Sequence, residues 1–367
     1  MPTLTSIEVA RKDLRTARIA SAPLDPLAAV AAGKAVLTID RFALTANNIT
    51  YGAFGDQMSY WDFFPASAGY GHIPVWGFAD VIAAPAASGL QIGERLYGYF
   101  PMATHLAIEP GKVSGKRVID TSAHRAKLPA VYNAYERTTA DPDYMRAQEA
   151  SQMILRPLTV TSFLIADVLD DNKLFGARQV LVSSASSKTS LGLALCLKKL
   201  GRGDLTVTGL TSAGNRAFVE STKLYDRVVD YGAVSTLDAN VPSVYVDMAG
   251  SATVLTSVHQ HFRDALKYSC RVGATHVDDI AGRMDVPGAK PVFFFAPTQV
   301  QKRLADWGPG GLEQRYGALW GDLVTTFARW MKIDERRGAD AVLAAYHETL
   351  EGRQKAETGL VLSMSGG

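Results

Sequence analysis

Hydrophobic and polar positions change their rhythm twice along the chain. Residues 34–107 alternate in short runs broken by turn residues: KAVLTIDRFALT, VWGFADVIAA, and ERLYGYF after the turn of Gly89 and Gly93. A period of two marks strands with one buried face, so this half reads as β-rich. Over residues 147–170 the spacing becomes helical, with Leu164, Ile165, Val168 and Leu169 grouped on one face behind Pro157 and Thr159.

From Gln179 a third rhythm begins. Val180, Leu181 and Val182 form a continuous apolar run, which predicts a parallel strand buried on both faces. In the helix that follows, Leu191, Ala194, Leu195 and Leu197 make an apolar face, Lys198 and Lys199 take the wet side, and Gly201 ends it. Then come DLTVTGLTS as a strand, NRAFVESTKLY as a helix, RVVDYG and SVYVDMAGS as strands, TVLTSVHQHFRDAL as a helix, and SCRVGAT and KPVFFFAPT as strands. About six strands alternating with helices predict a doubly wound parallel sheet, and its apolar last strand is an edge able to pair with another chain. Leu319, Leu323, Phe327 and Trp330 predict helices within 318–350, and VLSMS a strand that returns to the β-rich half.

Residues 114–152, with VYNAYER and the polar run TTADPDYMRAQE, fit neither rhythm. They read as an inserted helical or lid segment, or as a solvated connection. The expected organisation is a β-rich domain of residues 1–155 and 298–367 around a doubly wound domain of residues 156–297.

Composition narrows the picture. Of 367 residues 47% are hydrophobic and 20% charged, enough for a large core and unlike a disordered chain. Lys and Arg number 38 against 36 Asp and Glu without a basic block, so no nucleic-acid partner is expected. Two cysteines, Cys196 and Cys270, exclude a disulfide framework and a four-cysteine zinc site, and point to a reducing, cytoplasmic compartment. Residues 27–36 are Ala-rich but broken by Gly33 and Lys34, short of the ~20 apolar residues a bilayer crossing needs, and the opening residues hold no secretory apolar run. Neither a membrane partner nor export is expected.

The chemistry centres on the loop after the first α/β strand. In a doubly wound sheet this loop aims backbone N–H groups and a helix dipole at a phosphate. Here it runs Ser183, Ser184, Ala185, Ser186, Ser187, Lys188, Thr189, Ser190, with no glycine. The hydroxyls of Ser184, Ser186, Ser187, Thr189 and Ser190 leave room and can donate, and Lys188 adds positive charge; the alternative is a polar cap cluster with no ligand. About 20 residues on, where an acid reads a ribose 2′-hydroxyl, stand Thr211, Ser212 and then Arg216. Hydroxyls and a guanidinium suit a 2′-phosphate, which makes NADPH the expected cofactor.

Together these segments resemble the medium-chain dehydrogenase/reductase superfamily, in its zinc-independent quinone-oxidoreductase-like branch, over nearly the whole chain. VLVSSASSKTSLGLALCLKKLG is similar to that branch's strand, glycine loop and helix, and TGLTSAGNRAFVESTKLYDRVVDYG to its second strand, helix and third strand. SVYVDMAG resembles the fourth strand, ending at Asp247 and Gly250; LTANNITYGAFG resembles the active-site stretch of the catalytic domain, and IGERLYGYFPMATHLAI a strand pair of it. The resemblance implies an α/β protein with a β-rich GroES-like catalytic domain plus a Rossmann-type doubly wound parallel sheet. It implies NADPH-dependent reduction of an activated C=C, a quinone or a carbonyl of a small molecule, and a homodimer built through the last Rossmann strand.

Residue by residue, the resemblance implies Arg216 and Tyr231, beside Thr211 and Ser212, at the 2′-phosphate. It places Thr161 near the nicotinamide, Gly250 along the cofactor, and Asn47 and Tyr51 beside nicotinamide and substrate. Ser184, Ser187, Lys188 and Ser190 stand where the family's phosphate loop has glycines. The zinc ligands of the alcohol-dehydrogenase branch are missing: Thr50 or Tyr51 stands near the usual cysteine, His72 and His105 are separate, and no metal is expected. The serine loop and YNAYER also resemble a family defined only as a domain of unknown function, which implies no activity.

Without zinc, a hydride acceptor is polarised by hydrogen bonds. Tyr51, or one of Tyr97, Tyr99, Tyr132 and Tyr135, is a candidate donor, with Asn47 orienting the acceptor; each tyrosine also reads as a packing residue. Three other readings stay open: a cofactor-independent lyase on the same fold, a nucleotide-binding protein in which Ser187, Lys188 and Thr189 are a reduced Walker loop, and a non-catalytic NADPH or ligand sensor. No G-x-S-x-G or H-E-x-x-H motif offers a hydrolase route.

Overall fold

Alternating apolar positions become strands through most of the first third of the chain. A computed structural model describes residues 3–272 and 285–366, which fall into two units: Met1–Ile154 with Lys332–Gly367, and Leu155–Met331. The first unit opens with β1 (Thr3–Ala10), β2 (Ala17–Pro23), α1 (Pro26–Ala31), β3 (Ala35–Leu44) and α2 (Ala46–Ala53). There follow β4 (Tyr70–Gly71), β5 (Pro74–Ala83), β6 (Arg95–Pro101), β7 (His105–Ile108), β8 (Pro110–Val113), β9 (Arg117–Asp120) and β10 (Ala134–Arg137). Strands β2, β1 and β4 form a small sheet. Ile7, Leu37, Phe42, Val75, Leu96 and Phe100 are among the buried residues of this unit's core.

The segment 114–152 is not an inserted helical lid. β9 and β10 continue the large sheet beyond β6, joined by short 3-10 turns. Tyr135 fixes them: its hydroxyl donates to Tyr99 O at 3.1 Å and accepts from Arg125 at 3.1 Å, all of it buried. Four-residue strands alternate too briefly to stand out from a polar sequence.

α3 (Glu149–Asp171) carries the chain from the first unit into the second. It is long and apolar enough to cross a bilayer by composition, yet most of it is buried in protein. Its first residue, Glu149, is fully buried and receives Arg95 at 2.6 and 2.8 Å and Arg41 at 3.0 Å. Arg95 also reaches Asp80 at 2.9 Å and Asp40 at 2.7 Å.

The second unit holds β11 (Gln179–Val182), α4 (Lys188–Lys199), β12 (Thr206–Thr211), α5 (Ala213–Thr222) and β13 (Arg227–Asp230). β14 (Ser243–Asp247), α6 (Ala252–Phe262), β15 (Leu266–Arg271) and β16 (Pro291–Phe293) complete it. The sheet order is β13-β12-β11-β14-β15-β16, parallel throughout. Strand order therefore reverses between β11 and β14, where doubly wound sheets open a ligand crevice at the strands' carboxyl ends. The last residues of the expected strand SCRVGAT, 273–275, lie outside the described residues.

The expected boundary at 298 falls at 332. The helices Ala296–Trp307 and Gly311–Ala328 pack within the second unit, where Arg303 donates to Asp167 of α3 at 2.6 Å and Tyr316 bonds Thr159 at 2.7 Å. Such long-range bonds leave no local periodicity for a sequence reading to find. β17 (Lys332–Arg337) and β18 (Thr358–Ser363) then rejoin the first unit, β18 antiparallel to β3, giving the large nine-stranded sheet the order β17-β18-β3-β5-β6-β10-β9-β8, with β7 as the ninth strand paired to β3.

Candidate functional site

The loop between β11 and α4 lies at the point of strand reversal. Ser183 ties the two central strands together: its Oγ donates to Asp247 Oδ1 at 2.9 Å and accepts from Met248 N and Ala249 N at 2.9 and 3.0 Å. Asp247 also accepts from Tyr245 and from Gly250 N, both at 3.1 Å; burial raises its carboxyl pKa against these bonds. Gly250 needs its glycine, with φ +62°.

Ser184 takes over the conformation that a glycine would supply. Its φ is +49°, a left-handed backbone that costs an L residue roughly 1–2 kcal/mol. Its N–H donates to the Tyr231 hydroxyl at 3.0 Å. Ser187 caps α4, accepting from Ser190 N at 3.2 Å, and donates to Ser190 Oγ, which donates to Ser183 O at 2.9 Å. Two of the five expected hydroxyls, Ser187 and Ser190, thus hold the loop's own shape. Those of Ser186 and Thr189 have no side-chain partner among the described residues, and with Lys188 they open the N-terminal turn of α4, where helix partial charge favours an anion.

Glycines remain where backbones press together. A Cβ on Gly192 would lie 2.8 Å from Ser162 Oγ and 3.0 Å from Thr159 Cγ2, so α4 meets α3 at glycine distance. Thr161, half-buried on α3, donates to Pro157 O at 3.3 Å.

At the next strand of the sheet, Thr211 is buried at the end of β12 and Ser212 is exposed at the start of α5. Arg216 is also exposed, but it is already paired: Nε donates to Glu220 at 2.8 Å and Nη1 to Asp230 at 3.1 Å. Sequence reading missed Asp230, although parallel register sets Asp230 directly beside Thr211. The acid missing from the end of β12 stands at the end of β13, with its Oδ1 buried and without a partner among the described residues. Tyr231, the next residue, reaches Ser184 rather than Arg216.

In the first unit, α2 is set by a capping box between Thr45 and Asn48, and Asn48 Nδ2 donates to Pro74 O at 2.8 Å. That anchor turns Asn47 and Tyr51, four residues apart on the helix, to a common side. Tyr51 is buried in an aromatic cluster with Tyr60, Phe63, Phe64 and Tyr99, against which Trp76 and Tyr132 pack. Ring centroids lie 4.5 Å apart for Tyr51 and Tyr60, 5.7 Å for Tyr51 and Tyr99, and 4.7 Å for Tyr99 and Tyr132. Burial raises the Tyr51 phenol far above its usual value and the neighbouring Tyr132 adds to it, while Asn47 and Trp76 pull the other way; Tyr51 is held as an O–H donor.

Arg125 braces the cluster from behind, pairing with Asp120 at 3.2 Å and donating to Phe63 O at 3.1 Å. A cleft of about 650 Å³ shares two walls with it, Met58 and Leu128. Trp76, Tyr60 and Phe63 were missed from the sequence; the alternation of Trp76 with Phe78, and of Tyr97 with Tyr99, is the signal that marks one aromatic sheet face. Within the cluster, Tyr99 Oη is buried without a hydrogen-bond partner among the described residues, while the Trp76 indole interacts with the Tyr51 hydroxyl. Leaving a buried polar group unsatisfied costs about 1–3 kcal/mol, so the Tyr99 hydroxyl is unusual in a purely structural core. No group of three His, Cys, Asp or Glu able to hold a metal occurs among the described residues.

A β-rich unit and a parallel sheet of order 3-2-1-4-5-6, joined in this sequence, define the fold of the quinone-oxidoreductase-like medium-chain dehydrogenases/reductases. The chain belongs to the family described as "Protein of unknown function (DUF2855)", whose model matches residues 42–355. No curated protein matches it in sequence. Solved structures of the same fold include CurA from Vibrio vulnificus in complex with NADPH, 11% identical, with 99% of this chain and 100% of that one covered and a TM-score of 0.60. TarJ of S. aureus in complex with NADPH is 9% identical over 98% and 99% of the two chains, with a TM-score of 0.58. The quinone oxidoreductase from Coxiella burnetii is 13% identical over 98% and 99%, with a TM-score of 0.53.

Proposed function

We propose that this protein is an NADPH-dependent, zinc-independent oxidoreductase that reduces an activated C=C, a quinone or a carbonyl of a small molecule in the cytoplasm. The observation that carries the reading is Ser184, which keeps a glycine's left-handed turn at the strand-reversal point, just ahead of the N-terminus of α4. The CurA and TarJ structures, which have this fold, hold NADPH.

The residues fit the cofactor. Ser186, Thr189 and the first N–H groups of α4 would hold the pyrophosphate, with Ser184, Ser187, Lys188 and Ser190 shaping that turn. Thr211, Ser212 and Arg216 would hold the 2′-phosphate, with Arg216 exchanging Asp230 and Glu220 for it and Tyr231 alongside. Thr161 and Gly250 would line the nicotinamide half. Bound NADPH would supply a hydride to an electrophilic carbon. Tyr51 would donate a hydrogen bond to the oxygen that gains charge, with Asn47 orienting both, and the proton that completes the reduction would come from solvent.

The reading extends to a homodimer through β16, the edge of the parallel sheet, where Val292 is 48% exposed. Both cysteines are buried free thiols, pushed up to about 12 by burial, which suits a reducing compartment and leaves no thiol nucleophile.

Calorimetric titration with NADPH and NADH, repeated on Arg216→Ala, tests the proposal. The expected result is NADPH binding much tighter than NADH binding, with the difference lost in the variant. If the unmodified chain binds neither nucleotide, the oxidoreductase reading fails.

A further inference from the structure

We propose that Asp230 limits this protein's preference for NADPH: its carboxylate holds Arg216 in a pair that a 2′-phosphate has to break, so NADPH binds less tightly than the arginine alone would allow, while NADH is untouched. The inference rests on the oxidoreductase reading of the same crevice. Asp230 closes β13, and parallel register sets it beside Thr211, the last residue of β12. There its Oδ2 accepts from Arg216 Nη1 at 3.1 Å. Its Oδ1 is buried with no partner among the described residues, so Arg216 carries the compensation of this carboxylate.

A guanidinium has one positive charge to share. When Arg216 turns to a phosphate, Asp230 keeps an oxygen out of water and loses its counter-charge, and two anions compete for one cation. Both effects subtract from NADPH binding. Glu220, which takes Arg216 Nε at 2.8 Å, is a weaker rival: the two residues lie one turn apart on α5, both about half exposed, and water screens them. Asp230 is 31% exposed and fixed by the ladder to β12. Its neighbours do not take over from Arg216: the Tyr231 hydroxyl is engaged by the Ser184 N–H, and Thr211 is buried. NADH carries a hydroxyl where NADPH carries the phosphate, so it leaves the pair of Arg216 and Asp230 intact. The acid thus acts on one nucleotide and not on the other.

The test is calorimetric titration of the full chain with NADPH and with NADH, on the unmodified protein and on Asp230→Asn; Asp230→Ser serves if the amide variant fails to fold. NADPH is expected to bind roughly fivefold more tightly to the variant, with NADH unchanged. Glu220→Gln should give a gain of about twofold or less. In an Arg216→Ala chain, adding Asp230→Asn should recover only a small part of the gain, since no guanidinium is there to be released. The proposal is overturned if NADPH binding is unchanged or weaker in the variant, if NADH tightens as much as NADPH, if Glu220→Gln does as much, or if the gain persists in full without Arg216. A merely structural role for Asp230 would move both nucleotides together. The unmodified chain separates the two failures: NADPH binding that does not depend on Asp230 sinks only the role of Asp230, whereas a chain that binds neither nucleotide sinks the oxidoreductase reading and this inference with it.

Discussion

The backbone N–H of Ser184 donates to the hydroxyl of Tyr231 at 3.0 Å, joining the turn after β11 to the residue after β13. A left-handed serine is thereby held in place by a tyrosine that is distant in sequence.

Ser184→Gly should stabilise the protein, because the strain of about 1–2 kcal/mol at φ +49° exceeds the roughly 0.5–1 kcal/mol of extra chain entropy a glycine loses. Tyr231→Phe should destabilise it by about 1 kcal/mol, the worth of one hydrogen bond. Urea unfolding midpoints read both effects; a lower midpoint for Ser184→Gly would show that the serine side chain itself holds the turn.

Glu149→Gln should lower stability by about 3 kcal/mol, since it leaves the buried Arg95 short of its best partner. Burial alone would raise the Glu149 pKa, but Arg95, Tyr144 and Arg41 outweigh it and hold the carboxyl below the ordinary 4.5. Its contribution is present above that value and is lost as the pH falls through the lower folded pKa. Melting temperatures taken across the acid range should fall for the native chain and fall less for the variant.

The tyrosine cluster predicts the opposite edge of the pH range. Burial raises the phenols of Tyr51, Tyr60, Tyr99 and Tyr132 above the ordinary 10.0, so the folded state keeps protons that the unfolded chain releases. Stability from this source is complete below about pH 10 and is lost as the pH climbs from there. Tyrosinate absorbance should rise together with unfolding rather than ahead of it; titration of these rings in the intact fold would contradict the burial argument.

Val292→Lys should convert a dimer into a monomer if β16 is the joint between subunits, because a charged side chain blocks edge-to-edge pairing. Sedimentation of the native chain and the variant decides this, and a native monomer removes the proposed assembly.

Sequence made the parallel sheet legible because Val180 to Val182 and the strands after it are short apolar runs closed by turn residues, a local signal. The serine loop was placed by the same logic. What stayed hidden was long-range: Asp230 coming to Arg216, Glu149 to Arg95, Tyr316 to Thr159. The alternation that buries Trp76 and Tyr99 was visible, but their standing opposite one another depends on the register of β5 against β6, which neither strand encodes by itself. The lid expected at 114–152 failed for a related reason: a four-residue strand such as β10 gains its stability from Tyr135 bonding into β6, not from its own composition.

β18 pairs with β3, so an element near the end of the chain lies inside a sheet that begins near its start. During synthesis the parallel-sheet unit can therefore fold while the large sheet still lacks two strands. Until Thr358–Ser363 leaves the ribosome, β3 presents a bare edge carrying Phe42 and Leu44, the kind of surface on which unfinished chains pair with one another. The last strand acts as a closing seam, and until it arrives this margin of the nine-stranded sheet is open to pairing with another chain.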